Sequence, residues 1–439
     1  MKPEKEGAVL NSKAPLPPPL EGSPTRPFAV RFLESFSWRQ AFTALRYHNY
    51  RLWFWGQMIS LFGTWMQSTA QGFLIFELTH SPAYLGYAAF AMGVPTWFFM
   101  MYGGVLADRI QRRTLLIATQ GLMMLLAVVL AMLTFFQVVQ AWHIIILAFG
   151  LGIANAFDAP ARQAFVRELV DRDDMTNAIA LNSTMFNSAT AIGPAASGVI
   201  YALVGPAWCF MINAASFLAV ISALLLMRIK PQDRAVRKNS AGADLKEGMH
   251  FTMNHTMIRT LISVVGITTF FGISFATLIP AWAVKILGGN AITNGIMQSA
   301  RGLGALLGAL MIASLGRFQF KGRLLTLGSF AFPILLLTFG FIHWLPLSLL
   351  MLFGIGVAIM FIFNLANALV QTLVPDDLRG RVMSIYALAF FGLIPLGSLW
   401  VGLIAEHISE TFAIIVNSVI LFVLFVLIRI IVPKLHELP

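Results

Sequence analysis

FGLGIANAF, residues 149–157, returns as FGIGVAIMF at residues 353–361, 204 positions further on. The same offset lays LVDRDD, from Leu169, over LVPDDL, from Leu373, and sets Gly193 and Gly198 over Gly397 and Gly402. A single register held without gaps across two apolar segments marks a duplicated unit, so whatever the first half folds into, the second half folds into again.

The solvent for that unit is lipid. Of the 439 residues, 58% are hydrophobic and 11% charged, against roughly a quarter charged in soluble domains. Apolar runs of about 20 residues cross a hydrocarbon core as helices. Twelve can be placed, at 51–77, 83–106, 114–138, 142–161, 177–203, 207–228, 260–285, 292–315, 324–342, 346–371, 383–405 and 411–432. Backbone amides in lipid must be satisfied within each segment, so the expectation is an all-α membrane protein of 12 transmembrane helices in two pseudo-symmetric six-helix bundles.

The net charge of +11 reads as topology. With the N terminus inside, all but two of the 30 Lys and Arg residues fall on the cytoplasmic side, which fixes both termini there and removes any need for a nucleic-acid partner. The exceptions are Lys285, at an outer end, and Arg301, deep in a span. The lone Cys209 excludes an internal disulfide and a cysteine-rich metal site, and nothing at the front resembles a cleavable signal. The organisation expected is a cytoplasmic tail and lead segment (1–46), a first bundle (47–230), a cytoplasmic linker (231–256), a second bundle (257–433) and a short cytoplasmic tail (434–439). The lead segment, with aromatics among Arg31, Arg39 and Arg46, reads equally as an amphipathic helix on anionic lipid and as a polar approach to the first span.

Between the second and third spans the chain runs MYGGVLADRIQRRTLL, residues 101–116. Its core, GVLADRIQRR at 104–113, resembles the loop signature of the major facilitator superfamily, with Gln111 where that family usually has glycine. The resemblance implies that superfamily's fold, with a central site between two rocking halves. Physically, Gly104 lets two helices approach while Asp108, Arg109, Arg112 and Arg113 stay at the interface. Asp108 is suited to accept from backbone amides at the start of the eleventh span, near Arg381, or to pair with Arg162. Either contact would latch the halves together on the inner side. For the arginines, topology alone is an equal explanation; an acid adds little to topology, which favours the latch for Asp108.

NAFDAPARQAFVRELVDRDDMTNAIALN, residues 155–182, followed by IGPAASG at 192–198, resembles the transmembrane secretion effector branch, which includes enterobactin-exporter-like and macrolide-efflux-like proteins. Gly193, Pro194 and Gly198 also resemble the fifth-span signature of proton-coupled exporters, with Ser197 where glycine is common. Pro194 removes a helix hydrogen bond and the glycines permit close packing, so the segment reads as a gating bend or simply as helix packing.

Polar stripes at helical spacing mark faces turned away from lipid. Gln57, Ser60, Thr64, Gln67 and Gln71 lie on the first span; Ser183, Asn187 and Thr190 on the fifth; Asn294, Gln298 and Arg301 on the eighth; Asn364, Asn367 and Gln371 on the tenth. Singly, each could be a helix-to-helix hydrogen bond; together they indicate a shared substrate cavity. Arg301, roughly 13 Å from the outer end of its span, needs water, a carboxylate or an anionic substrate. The cavity-facing reading favours acidic substrates, and snorkelling or a structural pair is its competitor.

Proton coupling has weaker marks. Ile146 stands where drug–proton antiporters often place arginine; the remaining coupling candidates are Asp158, Asp108 and Glu77, none with a clear sign of burial, and Asp158, near the inner end of the fourth span, is the choice if export is proton-driven. No Walker loop, HExxH, paired metal ligands or serine–histidine–acid set is present, so neither an enzyme nor a cofactor is expected. The function expected is a proton-coupled secondary exporter of a small amphipathic compound, siderophore-, antibiotic- or lipid-like, in the bacterial inner membrane. It would act as a monomer, with membrane lipids and the proton gradient as its partners. Uptake, lipid flipping, or a non-transporting receptor on the same scaffold are the alternatives.

Overall fold

The computed structural model describes residues 42–228, 241–315 and 320–438. The tail and nearly all of the lead segment, with much of the linker, lie outside them. The first set of helices is α1 His48–Thr79, α2 Pro82–Arg109, α3 Arg112–Phe135, α4 Ala141–Leu169, α5 Met175–Val204 and α6 Pro206–Leu226. After a linker helix, α7 Ala241–Asn254, the second set is α8 Thr256–Ile286, α9 Ala291–Leu315, α10 Lys321–Gly340, α11 Leu345–Leu373, α12 Asp376–His407 and α13 Glu410–Ile431.

The joints follow from local chemistry. Between α1 and α2 the chain turns through His80 in the left-handed region (φ 51°), and Pro82 opens α2 where a helix needs no N–H. The α2–α3 turn is only Ile110 and Gln111. Gln111 has φ −59°, which any L-residue adopts, so this turn does not require the glycine usual in the family signature.

Two expectations change. The linker contributes α7, and α12 begins at Asp376, about two turns before the expected 383, with a break at Gly392. α8 is not a regular helix either. It passes through π turns at Thr268–Gly272 and Trp282–Ile286 and a 3₁₀ stretch at Ile273–Leu278. Local departures of this kind are common at functional helices, and here the backbone of Phe270 is closely approached by Gly397 of α12.

Among the described residues nine helices are long and apolar enough to cross a membrane. α1, α2 and α5 complete the twelve rods, and α1 and α5 carry polar stripes, so their low apolarity reflects a face that never meets lipid.

The repeat read from sequence is visible as packing. α2 packs on α4, α3 on α4 and α6, and α1 on α5; likewise α9 packs on α11, α10 on α11 and α13, and α8 on α12. Two seams join the sets, α5 with α9 and α2 with α12. A shift of 204 residues carries α2 onto α9 and α5 onto α12, so the two seams are one contact made twice.

These seams close one end of the bundle. The end bearing Arg112, Arg162, Arg379 and Arg381 is termed the basic end, and the end bearing Glu77 and Glu406 the distal end. At the distal half, one apolar cluster unites Phe73 and Phe76 of α1 with Ala281 of α8 and Ala291 of α9. The cluster at the basic half of the first set, built on Trp53, Leu116 and Phe165, includes no described residue of the second set.

Candidate transport path

The distal closure is built from glycine. On α9, Gly295 and Gly302 face the carbonyls of Pro194 and Thr190 on α5, and Gly198 of α5 faces the Ala291 backbone. Thr190 lies four residues before Pro194, which has no N–H to offer its carbonyl, so the proline frees the group against which Gly302 packs. Gly193 sits under Trp65 of α1, and the Ala195 N–H donates to Ser299 Oγ at 2.9 Å. The fifth-span signature therefore lies on the seam between the two sets.

Two recesses lie in the second set, the larger toward the basic end. One, of about 750 Å³, is lined by Asn364, Asn367, Ala368, Gln371, Thr372 and Arg379. Asn367 accepts from Gln371, and Arg379 donates its Nε–H to the Gln371 carbonyl at 3.1 Å while pairing with Asp376. The tenth-span stripe is thus the wall of an open polar recess. Arg379 and Thr372 escape a sequence reading because Arg379 lies beyond the span, and only the bend at Pro375 brings it back to Gln371. The second recess, of about 360 Å³, is apolar and lies where Ile262, Ile267 and Phe270 of α8 face Ala389 and Leu393 of α12.

On α9, Asn294 is buried and accepts from Gln298 at 3.2 Å. Arg301 is half-buried. Its Nε is shut off from solvent and has no hydrogen-bond partner, and no carboxylate among the described residues pairs with it. Its carbonyl lies against Gly356 of α11, while the next residue packs on α5, which sets Arg301 where α5, α9 and α11 meet.

The first-span stripe divides. Gln67 accepts from Asn213 Nδ2 of α6 at 2.6 Å, a helix-to-helix bond. Ser60 is buried, and Thr64 donates to its carbonyl at 2.8 Å. Gln57 is buried with an unpartnered Oε1, while Thr64 and Gln71 are half-buried. On α5, Asn187 and Thr190 are half-buried, the Thr190 hydroxyl donating to the Asn187 carbonyl at 2.8 Å.

Asp158, for which the sequence carries no clear sign of burial, is buried, 1% exposed. Its Oδ1 accepts from Thr119 at 2.9 Å and Gln120 at 2.8 Å, both on α3, and its Oδ2 lies 3.4 Å from Arg162 Nε. Replacing Asp158 with Ala strands the Gln120 amide, while the Thr119 hydroxyl can turn to the Leu116 carbonyl, 3.0 Å away. A loss of about 1–3 kcal/mol of stability is expected, read as a lowered thermal unfolding midpoint in detergent.

Of the expected inner latch, the side chains of Gly104, Asp108 and Arg109 lie outside the described residues. The others have partners: Arg112 pairs with Glu168 at 2.5 Å, Arg113 donates to the Leu225 carbonyl at 2.9 Å, and Arg381 pairs with Glu247 of α7 at 2.5 Å.

A helical bundle whose halves repeat one packing scheme, shut at one end and recessed at the other, defines a transporter of the major facilitator class. The chain belongs to the transmembrane secretion effector family of that class, whose profile matches residues 39–438. It is similar to the staphyloferrin A transporter of Staphylococcus aureus, 27% identical over 377 residues that cover 84% of this chain and 93% of the relative. It is similar also to macrolide efflux protein A of Streptococcus pyogenes, at 23% identity over 90% of this chain and 98% of the relative. Among solved structures, a bacterial homologue of the human lysosomal transporter Spinster shares the fold, with a TM-score of 0.65 at 13% identity, covering 92% of this chain and 97% of that one. The chain is therefore a multi-pass membrane transporter and not an enzyme.

Proposed function

We propose that this transporter exports a small amphipathic compound from the cytoplasm by alternating access, with proton exchange as its driving force. It would lie in the bacterial cytoplasmic membrane, basic end inward. The observation that carries this reading is the asymmetry of the bundle: glycine seams and an apolar cluster close the distal end, while a polar recess lies toward the basic end, with an apolar one deeper in the same set. The pair of recesses suits a compound with one polar and one greasy face, and the named efflux relative supports outward direction.

In this scheme the structure is the inward-open state. Substrate enters at Asn364, Asn367, Gln371 and Arg379, and its acidic group reaches Arg301, whose charge has no counterpart among the described residues. When the basic end closes, Asp108 caps the start of α12 or takes Arg162. In the second case Arg162 must first leave its present partner, Asp158. A proton on Asp158 would release Arg162, which couples the gradient to the latch.

Purified protein in liposomes tests this. An imposed pH gradient is expected to drive accumulation of an amphipathic acid, and the Asp158→Asn protein to move it only down its own concentration gradient. A pH dependence unchanged by that substitution removes Asp158 from the coupling step.

A further inference from the structure

Lys285 is the one basic residue at an outer span end, against the charge rule that orders the rest of the chain. The structure gives it a task. Its Nζ lies 2.8 Å from Oε1 of Glu410, a carboxylate buried at the start of α13, and 5.6 Å from the centre of the Phe76 ring on α1. A second-set cation, neutralised by a second-set acid, thus rests on a first-set aromatic face.

The neighbouring seam has its own acid. Ser81 is the N-cap of α2, yet its side chain makes no cap hydrogen bond to that helix. Its hydroxyl instead donates to Oε2 of Glu406, on the last turn of α12, at 2.6 Å, and the Ala83 N–H of the first α2 turn points to the same oxygen at 3.4 Å. A carboxylate at a helix N-terminus meets the positive end of the helix dipole.

We infer that Glu406 with Ser81, and Lys285 held by Glu410 against Phe76, form a distal clasp that keeps this end shut while the basic end is open and lets go when the distal end opens. The inference rests on the alternating-access reading. It gives that reading a symmetric form: the expected inner latch sets an acid at the end of α2 against the start of α12, and the clasp sets an acid at the end of α12 against the start of α2. On that reading the α2–α12 pair exchanges an acid-to-amide contact at its distal end for one at its basic end as the cycle proceeds.

The test uses the full-length protein in membranes with an Ala291→Cys reporter, at a site now buried under Gly198; the native Cys209 is buried as well. Reaction of the reporter with an impermeant maleimide from the distal side measures opening of that end. Glu406→Ala is expected to speed labelling about fivefold, the scale of a typical net hydrogen bond at an exposed site. Ser81→Ala, which leaves the Ala83 N–H on Glu406, should speed labelling by less, and the double variant no more than Glu406→Ala alone. Unchanged labelling in both single variants overturns the clasp. Separately, joining Ser81→Cys to Glu406→Cys with a short cleavable thiol cross-linker should stop transport until reductant is added. Transport continuing at full rate through that cross-link overturns alternating access itself, so the two failures are distinct.

Discussion

The Arg301→Ala protein in liposomes is expected to transport acidic amphipathic compounds roughly 10- to 100-fold less efficiently than the parent, while neutral analogues of the same size lose little. The range corresponds to about 1.5–3 kcal/mol for a hydrogen bond to a charged group in a partly desolvated site. Arg301 is suited to that role because no side chain among the described residues satisfies it: its Nε is buried and unpartnered, and its backbone lies where α5, α9 and α11 meet. Arg301→Lys should retain part of the rate, since it keeps the charge and loses the planar fork. Full rate and affinity for every substrate in the Arg301→Ala protein would show that the residue serves the fold rather than the cargo.

Gly295→Val should abolish transport without unfolding the protein. A side chain at Gly295 meets the Pro194 carbonyl and the backbone of Gly198, which cannot rotate away as a side chain can. Overpacking of this kind costs about 1–3 kcal/mol. Where the distal end parts, α5 and α9 separate and the added atoms are tolerated, so the variant favours the state with that end open. The expected result is a correctly sized, thermally stable protein with no transport and a distal end that reacts freely with impermeant reagents. Gly121→Ala, at an α3 position with nothing within 4 Å, is the control and should transport normally.

The sequence announces the fold more fully than the site, for a physical reason. Lipid imposes apolar runs, charge asymmetry and internal hydrogen bonding on every span, and duplication writes the pattern twice, so FGLGIANAF and FGIGVAIMF reveal the architecture before any contact is known. Which way a polar side chain turns is set by its neighbours. Gln67 has the same spacing as Thr64 and Gln71, yet Asn213 claims it for α6. Asp158 sits where a depth count places an inner mouth, but Thr119 and Gln120 of α3 enclose it. Glu406, Glu410 and Lys285 look like ordinary interfacial charges until the two sets are brought together; the one available signal is that Lys285 breaks the charge rule. In the other direction, Gln111 departs from a motif without consequence, because its backbone never enters the region that glycine alone favours.

The central claim is that the two sets tilt about the path, one end opening as the other shuts. Spin labels on exposed span ends measure this directly: Leu226 with Ile431 across the basic end, and Phe136 with Phe341 across the distal end. With a transported compound and an imposed pH gradient, the basic-end distance should shorten while the distal-end distance lengthens, in the same population of molecules. Two distances that stay fixed, or that change together in the same direction, would contradict the account.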